Sequence, residues 1–407
     1  MHRATGSSRW QRAAAGLLVL VVLGAAGVRS AAAAPAPIAG PAAPPTTFVL
    51  FGASGDLARR KIFPSLKALW EGGKLPADFK IVAASRDRMS RAEFVAKLRE
   101  GVTSVGKIDV DDPAWKEIES RIEYRRVDLG NTASVRSLRG RLDAIDRESN
   151  GTPRQRLIYL AVTPSVLDRA IDNLGKTRLL SDGAGGGPRL LVEKPFGRDF
   201  ESARKLDGLL SGRIRPEQVL RMDHYLGKPA IDDLRQLRKG DQALDAIWNR
   251  DYIDRVEISA REEIGIEGRG EFYEETGALR DFVQGHLVQM LEVTAMDARA
   301  DGPGARAAKT EVVDRLRPLS RTAIARDVVR MQYQGYRAEP GVSPTSTVET
   351  YVALTAHVDN QRWRGVPFLL ESGKGLGEKR SAITVHFKKL SPELAPGAHL
   401  RPPMIGA

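Results

Sequence analysis

From Thr47 onward, apolar residues fall into two alternating rhythms. Short β-rich runs are TFVLF (47–51), KIVAA (80–84), YRRVD (124–128), LIYLAV (157–162), RLLVE (189–193) and QVLRM (218–222). Between them, stretches such as 91–99, 132–145 and 165–174 repeat their apolar positions at helical spacing. That alternation predicts an α/β domain: a Rossmann-type, doubly wound parallel sheet with helices on both faces. The glycine-rich SDGAGGG (181–187) predicts a surface loop before the fifth strand. Past residue 223 the rhythm changes to longer alternating runs, DRVEISARE (254–262), TVETYVALTAHVD (347–359) and SAITVHFKK (381–389). These predict a second, C-terminal α+β domain with a large, mainly antiparallel sheet. A strong helix is expected among them over 276–296, with Leu279, Val283, His286, Met290 and Val293 on one stripe.

The N-terminus has a different character. Arg3, Arg9 and Arg12 precede an apolar run, 13–28, and small residues follow in SAAAAPAPIAGPAAPP. This is the layout of a secretory signal, with cleavage expected near Ala32 to Ala34, and 35–46 reads as a Pro/Ala linker. The expected divisions are 1–34 signal-like, 35–46 linker, 47–222 coenzyme domain and 223–407 substrate domain. The signal points to export or membrane tethering.

Composition narrows the chemistry. The chain of 407 residues has no cysteine, so disulfides, thiolate metal sites and cysteine nucleophiles are excluded. Its six histidines show no HExxH-like spacing, and no metal is expected. The formal charge of +12 is spread along the chain with no Lys/Arg block. It suits anionic small molecules, and nucleic acid is not expected as a partner.

Four strand ends and one helix position carry chemistry. The first strand runs into GASGDLARRK (52–61), where glycines and a helix start can bring backbone N–H groups to a pyrophosphate. Alone, such a turn is equally an ordinary strand–helix connection. The second strand ends in SRDR, where Arg86 and Arg88 flank Asp87. Guanidinium there suits the 2′-phosphate of NADP, while Asp87 leaves NAD open. The fifth strand ends in VEKPFG, placing Lys194 at a carboxyl edge where α/β sheets bind ligands. The sixth ends in DHYLGKP, which sets His224, Tyr225 and Lys228, donors suited to phosphate, beside Asp223 and before a helix start. His286, if a base, needs a carboxylate partner, and both Asp223 and Asp281 are candidates.

Together GASGDLARRK, YLAVTP, VEKPFGRD, RMDHYLGK, EGRGEFYEETGALRDFVQGH and RWRGVPFLLESGKGLGEKR, in this order, resemble the glucose-6-phosphate dehydrogenase family over roughly 47–390. The resemblance implies oxidation of C1 of glucose 6-phosphate to the lactone with hydride passed to NADP. It implies His286 as general base and Asp223 as its partner. His224, Tyr225 and Lys228 would hold the phosphate. Glu262, Asp281 and Lys374 would hold sugar hydroxyls or phosphate, and Lys379 stands at a position that is basic in the family. Lys194 would lie between sugar and coenzyme. Gly52, Ala53, Ser54, Gly55, Asp56, Leu57, Ala58, Arg59, Arg86 and Tyr159 would contact NADP. A homodimer through the C-terminal sheet is also implied. Three departures qualify this: QGH replaces QNH at 284–286, the chain is short at its C-terminal end, and the signal-like start conflicts with freely exchanging NADP. They leave two other readings, an exported sugar oxidoreductase with tightly held NADP and an inactive homologue that only binds NADP or sugar phosphate.

Overall fold

The β-branched runs form strands in a computed structural model that describes residues 18–22, 44–104, 108–148, 154–181, 187–194, 196–197, 199–300 and 302–388. In chain order these are β1 (Leu18–Val22), β2 (Thr46–Phe51), β3 (Phe79–Ser85), β4 (Ile122–Arg126), β5 (Gln155–Leu160) and β6 (Arg189–Glu193). Then come β7 (Val219–Met222), β8 (Ile253–Arg261), β9 (Val328–Met331), β10 (Tyr351–His357), β11 (Pro367–Gly373) and β12 (Arg380–Phe387). The expected cleavage site at 32–34, the linker up to residue 43, most of the 181–187 loop, Pro195 and the tail after 388 lie outside the described residues.

Two compact units emerge, one of residues 31–222 and one of 223–407 with 1–30. In the first, all strands are parallel in the order β4-β3-β2-β5-β6-β7. Starting from β2, this is the 3-2-1-4-5-6 winding of a dinucleotide-binding sheet. The central strands β2 and β3 are buried on both faces, which is why they are nearly continuously apolar. Val49, Phe51, Val82 and Ile158 join one core, while Phe48, Leu50, Ile81 and Tyr159 join the other. The expected helices appear as Arg91–Ser104, Thr132–Arg147 and Pro164–Lys176. The Asn131 side chain accepts the amides of Ala133 and Ser134, fixing where the second begins. Pro113–Ser120 and Phe200–Ser211 are helices that the apolar rhythm did not single out.

The second unit holds a sheet in the order β1-β12-β8-β11-β10-β9, antiparallel except for the β8–β11 pair. One face packs Val256, Ile258, Phe368, Leu370 and Ile383 against apolar residues of the His286 helix. The other bears ion pairs, Arg261 with Glu371 and Glu378, and Arg255 with Glu257. β11, which the alternating runs did not include, lies between β8 and β10.

Part of the N-terminal apolar run is also a strand. Within 13–28, Leu18–Val22 is a strand paired antiparallel with Ala382–His386 of β12. Cleavage near residue 33 would remove it, so this pairing gives the signal reading no support. Among the described residues no helix is long and apolar enough to cross a membrane.

Candidate active site

Asp223 follows directly on β7, and its Oδ1 accepts the Tyr225 amide at 2.8 Å, turning the chain sharply. The Lys228 amide then donates to the Tyr225 carbonyl, and Pro229 starts the helix Pro229–Gly240. This short turn carries Asp223, His224, Tyr225 and Lys228 within six residues.

The helix carrying His286 is held at both ends. At its start, Gly277 adopts φ 60° and ψ 179°, separating it from the preceding helix Gly270–Ala278. A Cβ on Gly277 would stand 2.6 Å from Oε1 of Glu349, whose carboxylate accepts the Leu279 amide at 3.0 Å. At its end, Arg238 is buried and donates to the carbonyls of Thr294 at 3.0 Å and Met296 at 2.9 Å. Trp248 adds a bond from Nε1 to the Thr294 carbonyl at 2.9 Å. Between these clamps, Leu279–Leu287 winds as a π-helix before Val288–Ala295 returns to α-geometry. The wider turn shifts the stripe: Val283, His286, Met290 and Val293 are buried as expected, but Leu279 is 36% exposed and Phe282 takes its place.

His286 itself is 1% exposed, and its Nδ1 lies 2.8 Å from Asp223 Oδ1. Of the two carboxylates open to it in sequence, the fold brings Asp223. Burial pushes the Asp223 pKa up, but the His286 hydrogen bond and charge, with the Tyr225 amide, bring it below the usual carboxylate value. An ionised carboxylate only accepts, so Nδ1 carries the hydrogen and the lone pair is left on Nε2. The imidazole is walled by rings: Tyr225 stacks at 4.3 Å, His224 meets it edge-on at 4.5 Å and Phe282 at 5.5 Å. Asp223, His224 and His286 thus offer ligand atoms within 4.8 Å of one another, a gathering that scattered sequence positions hide. His286 Nδ1 and Asp223 Oδ1 are committed to each other.

A basic set stands beside this pair. Lys228 Nζ sits 3.6 Å over the Tyr225 ring. Burial lowers its pKa, and the like charge of Lys379 lowers it further. Lys374 is buried, its ammonium bound to the Glu262 carboxylate and near the Tyr273 and Phe282 rings. Glu262 and Lys374 therefore meet as a pair. Lys379 is exposed, and Asp281 is half-buried. Sequence reasoning passed over Glu292, six positions after His286 on the same helix. It is buried, with Lys309 Nζ 3.9 Å away, and burial lifts its pKa to about 7. Its signal was an acid inside the apolar run QMLEVTA.

In the other unit, Gly52 follows β2 with φ +76°, and a Cβ there would fall 2.1 Å from the Ala161 carbonyl oxygen. Only glycine fits, and the loop can then pass close to the sheet's carboxyl edge. The Ala53 amide bonds the Ala84 carbonyl and Gly55 closes the turn on Gly52. Ser54, Gly55, Asp56 and Leu57 are exposed, while Ala53 and Ala58 anchor the turn in the core. Arg59 is exposed and paired with Asp56. Arg86 is exposed at the end of β3, and Lys194 is half-buried after β6. Tyr159 is placed differently from a coenzyme contact: it is buried and gives its hydroxyl to Glu193, joining β5 to β6. Burial, then Glu193, raises its pKa.

Comparison with known proteins follows this division. Residues 49–233 match the model described as "Glucose-6-phosphate dehydrogenase, NAD binding domain", and 235–402 match its "C-terminal domain" counterpart. Glucose-6-phosphate 1-dehydrogenase of Chlamydia muridarum is 37% identical over 87% of this chain and 72% of its own length. The Bacillus subtilis enzyme of that name is 33% identical over 85% and 72%. Among solved structures, glucose-6-phosphate 1-dehydrogenase from Mycobacterium avium gives a TM-score of 0.75 at 34% identity, covering 88% of this chain and 76% of that one. A glucose-6-phosphate dehydrogenase solved with glucose 6-phosphate gives 0.76 at 30% identity, covering 86% and 72%. Matched by both domain models and by relatives across most of its length, the chain belongs to the glucose-6-phosphate dehydrogenase family.

Proposed function

We propose that this protein oxidises C1 of glucose 6-phosphate to 6-phosphogluconolactone, with NADP as hydride acceptor. The observation that carries the reading is the Asp223–His286 hydrogen bond, set within five residues of the His224, Tyr225 and Lys228 cluster. His286 Nε2 takes the C1 hydroxyl proton as the carbonyl forms. Asp223 keeps the ring in the tautomer that can do so and stabilises the imidazolium that results. Lys228, its charge weakly solvated and beside Lys379, is suited to a phosphate dianion, which would relieve the repulsion between the two lysines. His224 and Tyr225 would share that phosphate. Glu262, Lys374 and Asp281 would hold the sugar, and Lys194 would stand between sugar and coenzyme.

The turn at Gly52 fits a dinucleotide, because its φ of +76° and its close approach to the Ala161 carbonyl, which a Cβ would prevent, keep the loop tight at the sheet's carboxyl edge. Gly52 to Arg59 would receive the pyrophosphate, and Arg86 the 2′-phosphate. The bound nicotinamide supplies the hydride acceptor.

The test is NADPH formation by the purified full chain, offered glucose 6-phosphate or glucose. Turnover with the phosphate alone is the expected result. Equal turnover with glucose would favour the exported sugar oxidoreductase, and NADP binding with no turnover the inactive homologue. Lys228→Ala should raise KM for glucose 6-phosphate about 10–100-fold, the worth of one charge-assisted hydrogen bond, with kcat changed only a few-fold. An unchanged KM would remove Lys228 from the phosphate site.

A homodimer through the C-terminal sheet belongs to the same proposal. Val329 and Met331 on edge strand β9 are 49% and 53% exposed, apolar surface of the kind subunits cover. Light scattering at micromolar concentration should return twice the chain mass, and a monomer's mass would sink the idea.

A further inference from the structure

Beyond β2, the carboxyl ends of β3 and β4 gather three arginines that have no acidic partner among the described residues. Arg126 ends β4 and stands opposite Ser85 in the parallel register. It is exposed, and its Nε donates to the Arg86 main-chain carbonyl at 3.2 Å. Arg86 and Arg88 are exposed beside it. Arginines nearby are paired: Arg125 with Glu123, and Arg141 with both Glu123 and Glu148. Among the described residues no carboxylate forms an ion pair with Arg86, Arg88 or Arg126. Asp87, the acid in their midst, instead accepts the Ser85 hydroxyl at 3.3 Å. The loop is also fixed, since the Tyr124 hydroxyl donates to the Asp87 carbonyl at 2.7 Å and lies 2.7 Å from Ser85 Oγ.

A rigid loop that gathers unpaired guanidinium groups is repulsive until an anion arrives, and planar guanidinium is matched to phosphate oxygens. In a sheet wound 3-2-1-4-5-6, the ribose of a dinucleotide lies at the end of the second strand, here β3. Arg126 reaches that place from the neighbouring strand and commits only Nε to protein. We propose that Arg126 is a specificity-determining residue which, together with Arg86, receives the 2′-phosphate of NADP. The inference rests on the coenzyme reading above and adds a residue from β4 to it.

Calorimetric titration of the full chain with 2′-AMP, 5′-AMP, NADP and NAD tests this without relying on turnover. In Arg126→Ala, Kd for 2′-AMP and NADP should rise about 10-fold, with 5′-AMP and NAD within about 2-fold of wild type. Arg126→Lys should recover part of the loss by restoring the charge. Should the alanine variant melt at lower temperature than wild type, Arg126→Gln serves as the uncharged comparison. Equal losses for NADP and NAD would show a merely structural role and overturn the proposal. So would a variant that keeps the wild-type preference for 2′-AMP. A wild type that binds 2′-AMP no better than 5′-AMP would overturn the coenzyme reading itself, and Arg126 with it.

Discussion

His286→Asn should lower kcat about 10⁴-fold while the dissociation constant for glucose 6-phosphate changes only a few-fold. General-base catalysis by a positioned side chain contributes about 10²–10⁴, and the upper end is expected where nothing else can take the proton. Here the surroundings offer little else. The imidazole is 1% exposed, ringed by Tyr225, His224 and Phe282, and Asp223 is turned to Nδ1, away from Nε2. Asparagine keeps a polar group of similar reach toward Asp223 but has no lone pair basic enough to replace Nε2. The measurement is steady-state NADPH formation beside equilibrium binding of the sugar phosphate. A variant retaining kcat within about 10-fold of wild type would remove His286 from the role of base.

Asp223→Asn should cost kcat about 10²–10³-fold, less than loss of the base. One carboxylate oxygen, Oδ1, accepts both the Tyr225 amide and His286 Nδ1, while Oδ2 is buried without a partner. An asparagine oxygen left on the Tyr225 amide can still accept from Nδ1, with its NH₂ in the place of Oδ2. Flipping the amide would set two donors against each other, so the tautomer survives. What disappears is the negative charge that stabilises the imidazolium. A unit charge about 4 Å away is worth about 4 kcal/mol in a partly screened site, which bounds the effect near 10³. Coenzyme affinity should not move, because the residues expected to hold it belong to the other unit. Activity within about 3-fold of wild type would show that Asp223 only shapes the turn.

The first unit was the more legible in sequence. RLLVE became β6 with the same bounds, and the other expected runs agree with β2 to β5 and β7 within a few residues. Strands buried on both faces declare themselves as apolar runs, and helices buried on one face by their spacing. The second unit hid more. β11 was passed over, and composition gave no sign that Leu18–Val22 pairs with β12. Strand pairing is a long-range property that composition does not carry. The same limit held at the site. Asp223 and Asp281 were equal partners for His286 until the turn at Tyr225 and the clamps on the helix brought one of them to 2.8 Å. The resemblance implied a coenzyme contact for Tyr159, but its hydroxyl turns to Glu193, a direction that chain position alone does not specify.

The π-wound stretch Leu279–Leu287 makes the aim of the base a matter of phase. Each residue of a regular helix advances about 100° around the axis. One residue more or fewer between the two clamps would leave the helix nearly the same length but turn His286 against its neighbours. The stretch therefore works as a rotational offset: Gly277 and Glu349 hold one end, Arg238 the other, and the π-winding between them sets the angle at which His286 leaves the helix. Tightening it into ordinary α-helix would point the base elsewhere.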